Sequence, residues 1–394
     1  MTSPRERRVG AAIIGTGFSA ASHLDALRRV DHVEVVGVLG SSPERTREAA
    51  GRLGIEHAYA HLDEVLADRA VDVVHNCTPN DLHHAVGAAT LEAGKHLLSE
   101  KPLALDADQG ADLVRRAATT DAVTGVCFNY RHYPLVQHLR VTLGEGSHGA
   151  VHLVHGGYLQ DWLLRDDDWN WRLESSRAGE ARAVGDIGSH WIDLAQHVTG
   201  DEVLSVSARL GRLHAERWRP GEVRSFERGG GDAASRERVS VDTEDMATLH
   251  LRFASGAMGA CTVSQVSPGW KNRLFLEIDT ASSGFVWDQE DPNRLRIGRR
   301  DGPNEDLVRD PSLLAPLAAP LAHYPGGHQE GWPDGLRNLM LDFYAAVGAP
   351  LHEEPYTATF ATFGEARRVG LVVDAAIASD RSGGWVDVGA EVTA

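Results

Sequence analysis

Three stretches of this chain carry residue types at spacings suited to chemistry. In Gly185-Asp186-Ile187-Gly188-Ser189-His190-Trp191-Ile192-Asp193, the polar residues Asp186, His190 and Asp193 recur at i, i+4 and i+7. On an α-helix that spacing gives one face, where a carboxylate can hydrogen-bond the imidazole and fix its tautomer for proton transfer. Lys101 stands in Ser99-Glu100-Lys101-Pro102, just after an apolar run. A lysine at a strand's carboxyl end, held by the following proline, faces a ligand crevice and can stabilise a developing alkoxide. The third stretch runs from Val9 through Ile14 into Gly15-Thr16-Gly17-Phe18-Ser19-Ala20. There Gly15 permits a tight turn, Gly17 lets backbone amides approach a pyrophosphate, and Ala20 lets the new helix pack closely on its strand. Each stretch also has an ordinary structural alternative: a steric glycine turn, a solvated lysine, and a buried, satisfied histidine.

Around the glycine turn, Thr16, Phe18 and Ser19 are candidate cofactor contacts, joined by Thr78, Pro79, Asn80 and His83 after the run Val71 to Cys77. The run Val33 to Leu39 ends in Gly40-Ser41-Ser42-Pro43-Glu44-Arg45, with no carboxylate at positions 40 to 42. An acidic residue there usually accepts from the adenosine ribose diol, so its absence, with Ser41, Ser42 and Arg45 able to receive a 2′-phosphate, favours NADP over NAD. Ser42 also serves as the cap of the helix beginning at Pro43. No metal is expected: His197 lies seven residues beyond His190, with no HExxH and no cysteine pair.

The elements that must position these groups follow from the hydrophobic pattern. Continuous apolar runs at Val33 to Leu39, Val71 to Cys77, Lys95 to Leu98 and Ala122 to Phe128 read as strands of a parallel sheet covered on both faces. Helical stretches separate them: His23 to Arg29, Pro43 to Leu53, Asp81 to Ala93 and Asp106 to Ala118. Residues 1–128 are therefore expected to form a doubly wound, dinucleotide-binding Rossmann domain. From 129 to 394 a helix at Leu135 to Leu143 is followed by alternating segments at Ala150 to Leu159, Val203 to Arg212, Met246 to Phe253, Ala257 to Gln265, Leu274 to Asp279 and Arg294 to Ile297. They predict an α/β domain with a large, mostly antiparallel open sheet, closed by helices at Gly335 to Val347 and Phe360 to Ser379. Residues 217–242, charged and containing Gly229-Gly230-Gly231, read as a surface excursion.

Composition bounds the partners. The 394 residues carry 39 basic against 56 acidic side chains, a net charge of -17 that disfavours nucleic acid and anionic membrane surfaces and favours a small-molecule partner. Three widely spaced cysteines, Cys77, Cys127 and Cys261, read as reduced core thiols, and no run approaches a membrane span or a secretion signal. A cytoplasmic protein is expected.

Taken in order, Gly15 to Ala20, Glu100-Lys101-Pro102 and Gly185 to Asp193 closely resemble the Gfo/Idh/MocA oxidoreductase family. The resemblance extends from Val9 to the helix after Gly335, with Asn129-Tyr130-Arg131 at the crossing into the second domain. It implies NAD(P)-dependent oxidation or reduction of a carbinol on a sugar, cyclitol or related polyol, and a homodimer or homotetramer built on the open sheet. It places Lys101, Asp186 and His190 in catalysis, with the proton acceptor either Lys101 or His190, and puts Glu100, Asn129 and Arg172 near the cofactor. Where the family has a glycine run before Asp186, this chain has Ser176 to Gly185, whose Arg177 and Arg182 could reach substrate or cofactor. Tyr158, Asp161, Trp162, Arg172 and His323 are substrate candidates, since sugar sites pair aromatic faces with polar acceptors. His323 belongs to a turn-rich segment read as a substrate lid. Two other functions use the same scaffold. One is glycoside cleavage by transient oxidation on tightly bound NAD(P). The other is non-catalytic cofactor sensing, disfavoured by the retained Lys101, Asp186 and His190.

Overall fold

The computed structural model describes residues 8–220, 236–348 and 356–389. The chain divides into two compact units, residues 1–129 with 333–364, and residues 130–332 with 365–394.

The first unit alternates strand and helix: β1 (Val9–Ile14), α1 (Phe18–Leu27), β2 (Val33–Leu39), α2 (Pro43–Leu53), β3 (His57–Ala58), α3 (Leu62–Ala67), β4 (Val73–Asn76), α4 (His83–Glu92), β5 (His96–Ser99), α5 (Ala107–Ala117) and β6 (Thr124–Val126). The strands form one parallel sheet in the order β3-β2-β1-β4-β5-β6, the doubly wound arrangement, which reverses direction between β1 and β4. Ala11 to Ile14, Val73, Val74, Leu97 and Leu98 are buried, as a sheet covered on both faces requires. Local chemistry sets the helix ends: the Ser42 side chain accepts from the Arg45 N–H ahead of Pro43, and Gly54 closes α2 in the left-handed conformation. Asp106 caps α5. Helix α1 starts at Phe18, five residues before the apolar run at His23, because Gly17 is already its N-cap.

The second unit contains α6 (Pro134–Gly144), β7 (Val151–Leu159), α7 (Ser175–Ala178), α8 (Ser189–Thr199), β8 (Val203–Gly211), β9 (Glu216–Arg219), β10 (Glu237–Ser240), β11 (Met246–Phe253), β12 (Met258–Ser264), β13 (Arg273–Thr280), β14 (Ser283–Asp288), β15 (Arg294–Arg299) and β16 (Glu305–Val308). Helix α9 (Trp332–Gly348) returns the chain to the first unit, and α10 (Phe363–Ser382) with β17 (Val386–Asp387) ends the second. Nine strands pair as β16-β15-β14-β13-β7-β12-β11-β8-β17; β7 and β12 run parallel and their neighbours antiparallel. One face is buried through Leu249, Leu251, Val263, Leu274, Leu276 and Ile278. Trp191 of α8 is locked over it, its indole N–H donating to the Phe275 carbonyl at 3.1 Å. On the other face Met246, Thr248, His250, Arg252, Met258 and Thr262 alternate outward.

Strands β3, β14, β16 and β17 and the short helices α3 and α7 fall outside the sequence expectation. Only Phe285 and Trp287 of β14 point inward as apolar residues, too short an alternation to stand out beside acidic turns. The surface-excursion reading of 217–242 needs correction. Its flanks pair as the antiparallel ribbon β9–β10, Arg217 is fully buried, and Val241 joins Leu163, Trp169 and Leu173 in a small apolar cluster. A charged sequence packs here because the charge of Arg217 is met inside by Asp245 at 2.7 Å; residues 221–235 lie outside those described.

Candidate active site

In the first unit the site is built at the carboxyl ends of β1, β4 and β5. Gly15 has φ +124°, and a Cβ there would lie 2.2 Å from the Cys77 carbonyl oxygen, so both conformation and packing require glycine. Gly17 is different. Its φ is -84°, and a Cβ would meet no protein atom within 4 Å, so glycine there leaves room for a ligand rather than relieving a clash within the chain. Helix α1 has no side-chain cap and no acidic residue in its first turn, which leaves its N–H groups and positive end for an anion. Asn129 is buried, and its Nδ2 has no hydrogen-bond partner among the described residues. These three features fit a dinucleotide with its pyrophosphate on α1. Thr16 and Ser19 are part-exposed on the same turn and Phe18 is exposed.

Along the rest of this edge, Ser41 and Arg45 are exposed, while Ser42 is engaged in capping α2. Thr78 donates its hydroxyl to Asn76 Oδ1 at 2.7 Å, and Pro79 and Asn80 lead into a single 3₁₀ turn before α4. The part of His83 is internal. Its buried ring lies between the Pro102 carbonyl, 2.6 Å from Nδ1, and the Thr78 carbonyl, 2.9 Å from Nε2, so it holds the two loops that carry Thr78 and Lys101. Glu100 accepts from the Lys101 backbone N–H at 3.2 Å and lies 3.2 Å from His23 Nε2. Burial alone would raise the Glu100 pKa, but the hydrogen bond from His23, with the charge of Lys101, brings it down to about 2. Glu100, His23 and Cys127 place ligand-type O, N and S atoms within 4.8 Å of one another. Burial, then the neighbouring carboxylate, push the Cys127 thiol well up, which keeps its sulfur protonated beside Glu100.

In the second unit Asp186 and His190 do not lie on one uninterrupted α-helix. Residues Val184–Gly188 form a wider π-helical turn before α8, and such turns recur at functional sites. Asp186 thus sits in the wider turn, while His190 and Asp193 share regular α8. Asp193 is given to Arg131, which donates through Nε at 2.8 Å and Nη2 at 2.5 Å, both residues being buried. Asp186 accepts from Arg172 Nε at 3.0 Å on Oδ1 and from Gln265 Nε2 at 3.0 Å on Oδ2. Arg172 also contacts Asn170 Oδ1 at 3.3 Å and lies over the Trp171 ring, 4.6 Å from its centroid.

Arg182 does not extend toward a ligand. It is fully buried, pairs with Asp245 and donates to Gln265 Oε1 at 2.9 Å. The same departure from a glycine run is held by Glu244, which accepts from the backbone N–H of Arg182 at 2.9 Å and of Val184 at 2.8 Å. Because Arg182 only donates, the Gln265 carbonyl must face it, and the Gln265 amide N–H must face Asp186. Asp186 is thus held as an acceptor by a chain that runs back to Asp245.

His190 is nine-tenths buried, with the Tyr130 ring edge-on at 4.9 Å and the Tyr158 ring tilted at 6.2 Å. Tyr158 donates to Asn272 Oδ1 at 2.5 Å, Asn272 Nδ2 donates to Tyr130 Oη at 3.1 Å, and the two phenol oxygens are 2.7 Å apart. The ring of bonds closes if Tyr130 donates to Tyr158. Burial pushes both phenols up, so they keep their protons. Gln160 also donates to Asn272 Oδ1, at 3.0 Å, and accepts from the Trp162 indole at 2.8 Å. Asp161 pairs with Lys271 at 2.5 Å. The expected lid is pinned: Glu330 accepts from the His323 and Tyr324 N–H groups at 2.7 and 3.0 Å, and buried Arg309 pairs with Glu330 and holds the Tyr324 carbonyl at 2.8 Å. Gln265, Asn272 and Tyr130 were not expected in the site; Gln265 left a trace as the polar end of an apolar alternating run, and Tyr130 as part of Asn129-Tyr130-Arg131.

A family model described as the oxidoreductase family with an NAD-binding Rossmann fold matches residues 9–128, and the GFO/IDH/MocA C-terminal domain matches residues 136–282, together more than half of the chain. A levoglucosan dehydrogenase of Pseudarthrobacter phenanthrenivorans is 29% identical over 364 residues, covering 88% of each chain. The crystal structure of an oxidoreductase domain protein from Kribbella flavida is similar with a TM-score of 0.85 at 29% identity, covering 97% of this chain and 100% of that one. A levoglucosan dehydrogenase in complex with NADH and L-sorbose has a TM-score of 0.85 at 26% identity, covering 97% and 99%.

Proposed function

Because this chain belongs to the Gfo/Idh/MocA oxidoreductase family, we propose that it moves a hydride between nicotinamide C4 and a secondary carbinol of a sugar, cyclitol or related polyol. This reading is carried by a pyrophosphate cradle at Gly15 and Gly17 in the first unit and, in the second, by Asp186 held as an acceptor four residues before His190. The nicotinamide dinucleotide, when bound, supplies or accepts the hydride. Thr16, Phe18, Ser19, Thr78, Pro79, Asn80, Glu100 and Asn129 hold it, with Arg172 nearby. The chain's own chemistry is proton management: His190 takes the hydroxyl proton, Asp186 orients the imidazole, and Lys101 stabilises the alkoxide with charge and a hydrogen bond. Trp162 offers the sugar an aromatic surface, with Tyr158 buried behind it and Asp161 and His323 as further substrate candidates.

NADP is the proposed finer choice, since Ser41 and Arg45 are exposed and no carboxylate follows β2 to repel a 2′-phosphate. A panel of aldoses, polyols and anhydrosugars, monitored at the nicotinamide absorbance with each cofactor, tests both statements. Turnover of at least one sugar is expected, with kcat/KM for NADP at least equal to that for NAD. Silence across the panel refutes the activity, and a tenfold preference for NAD refutes the cofactor choice.

We further propose a homodimer or homotetramer assembled through the outward sheet face bearing Met246 and Met258, which are 38% and 65% exposed. Light scattering on the purified chain should give a dimer or tetramer mass, and Met258→Asp should lower it; a monomeric parent would reject this assembly. Cys77, Cys127 and Cys261 are free and buried, which suits a reducing cytoplasm, and no helix among the described residues is long and apolar enough to cross a membrane.

A further inference from the structure

Beneath the Lys101 strand end lies a line of buried titratable groups that the proposed chemistry does not use. Tyr344 of α9 is 1% exposed and its hydroxyl lies 2.8 Å from His75 Nε2 on β4. His75 Nδ1 is 3.0 Å from His23 Nδ1 on α1, and His23 Nε2 is 3.2 Å from Glu100 Oε1. Both histidines are fully buried. The His75 and Tyr344 rings stack at 5.9 Å, and the two imidazoles meet edge to face at 5.2 Å. Four elements of the same unit are therefore joined through side chains at one place.

We propose that Tyr344, His75 and His23 form a one-way hydrogen-bonded chain ending on Glu100, and that they are positioning residues for the strand end that carries Lys101. The direction follows from donor and acceptor inventory. It is set from the Glu100 end: the ionised carboxylate only accepts, so His23 Nε2 carries the proton, neutral His23 accepts at Nδ1 from His75, and His75 Nε2 is left to accept from the Tyr344 hydroxyl. The His75 proton must then sit on Nδ1 and point at His23 Nδ1. Burial keeps two members of the chain uncharged: it pushes the Tyr344 phenol well up and lowers His75 well below the usual histidine range. Glu100 Oε2 meanwhile accepts from the Lys101 backbone N–H, so the far end of the chain fixes the peptide from which the Lys101 side chain springs. The effect on turnover rests on the function proposed above; the hydrogen order does not.

The test has two readouts. Nitrogen-15 and proton correlation spectra of the histidine side chains in the full-length protein, assigned with Tyr344→Phe and His23→Gln, are expected to show His23 protonated at Nε2 alone and His75 at Nδ1 alone. A doubly protonated His23, or the opposite tautomer in either ring, overturns the chain. In kinetics on a sugar that the parent turns over, His23→Leu should lower kcat roughly 10- to 100-fold, the scale for losing support of a reacting group, with sugar KM changed less than about 2-fold. His23→Gln, whose amide N–H can reach Glu100, should recover most of the loss. Equal losses in both variants, or none in His23→Leu, would remove the positioning role. If the parent turns over no sugar, the proposed function fails, while the spectra still decide the hydrogen order.

Discussion

Lys101→Met and His190→Ala are each expected to lower kcat by at least about 10²-fold, the low end for losing acid-base or electrostatic help. The two losses should differ in character. Methionine keeps the length of Lys101 but has no charge, so its effect should appear equally in kcat and kcat/KM, as for an interaction made in the transition state. Removing the His190 imidazole takes away a base whose need falls as hydroxide rises, so the His190→Ala deficit should shrink at high pH. Steady-state kinetics of both variants over a range of pH, with sugar and cofactor saturating in turn, is the measurement. Near-normal turnover in both would remove the proposed roles.

The second large effect is structural. Asp245→Ala is expected to destabilise the protein by about 3–5 kcal/mol, because Arg182 and Arg217 would remain buried with their shared counter-ion gone. Urea titration followed by tryptophan fluorescence would measure it, and a loss below about 1 kcal/mol would show that the guanidiniums find other partners. The same three charges give a pH signature. Burial raises the Asp245 pKa, but the charges of Arg182 and Arg217 outweigh it and hold the carboxyl below its usual range. A depressed folded-state pKa contributes stability that is complete above the ordinary carboxylate range and disappears as pH falls through the lowered value. Since Arg182 also orders Gln265 against Asp186, a partial unfolding there should cost activity before the whole chain unfolds.

Sequence reading reached most of the frame and less of the site. Apart from the two-residue β3, the parallel sheet was legible because its strands are short, mostly apolar runs, and α2 and α5 were legible from Ser42, Pro43 and Asp106 at their starts. The single face expected for Asp186, His190 and Asp193 assumes 3.6 residues per turn throughout, whereas Val184–Gly188, which holds Asp186, takes a wider one that no residue type announces. The sequence points Arg182 toward a ligand and puts Arg217 in a surface excursion because their partner, Asp245, is distant in sequence and only the fold brings it near. The same holds for Asn272, which lies 142 residues from Tyr130 yet completes its hydrogen bonds.

The claim on which the rest depends is net transfer of hydride from a sugar carbon. A substrate deuterated at the carbinol carbon, incubated with oxidised cofactor, should give reduced cofactor carrying that deuterium at nicotinamide C4, in step with formation of the ketone. Conversion of a glycoside without deuterated reduced cofactor accumulating would contradict it, and would assign the site to transient oxidation instead.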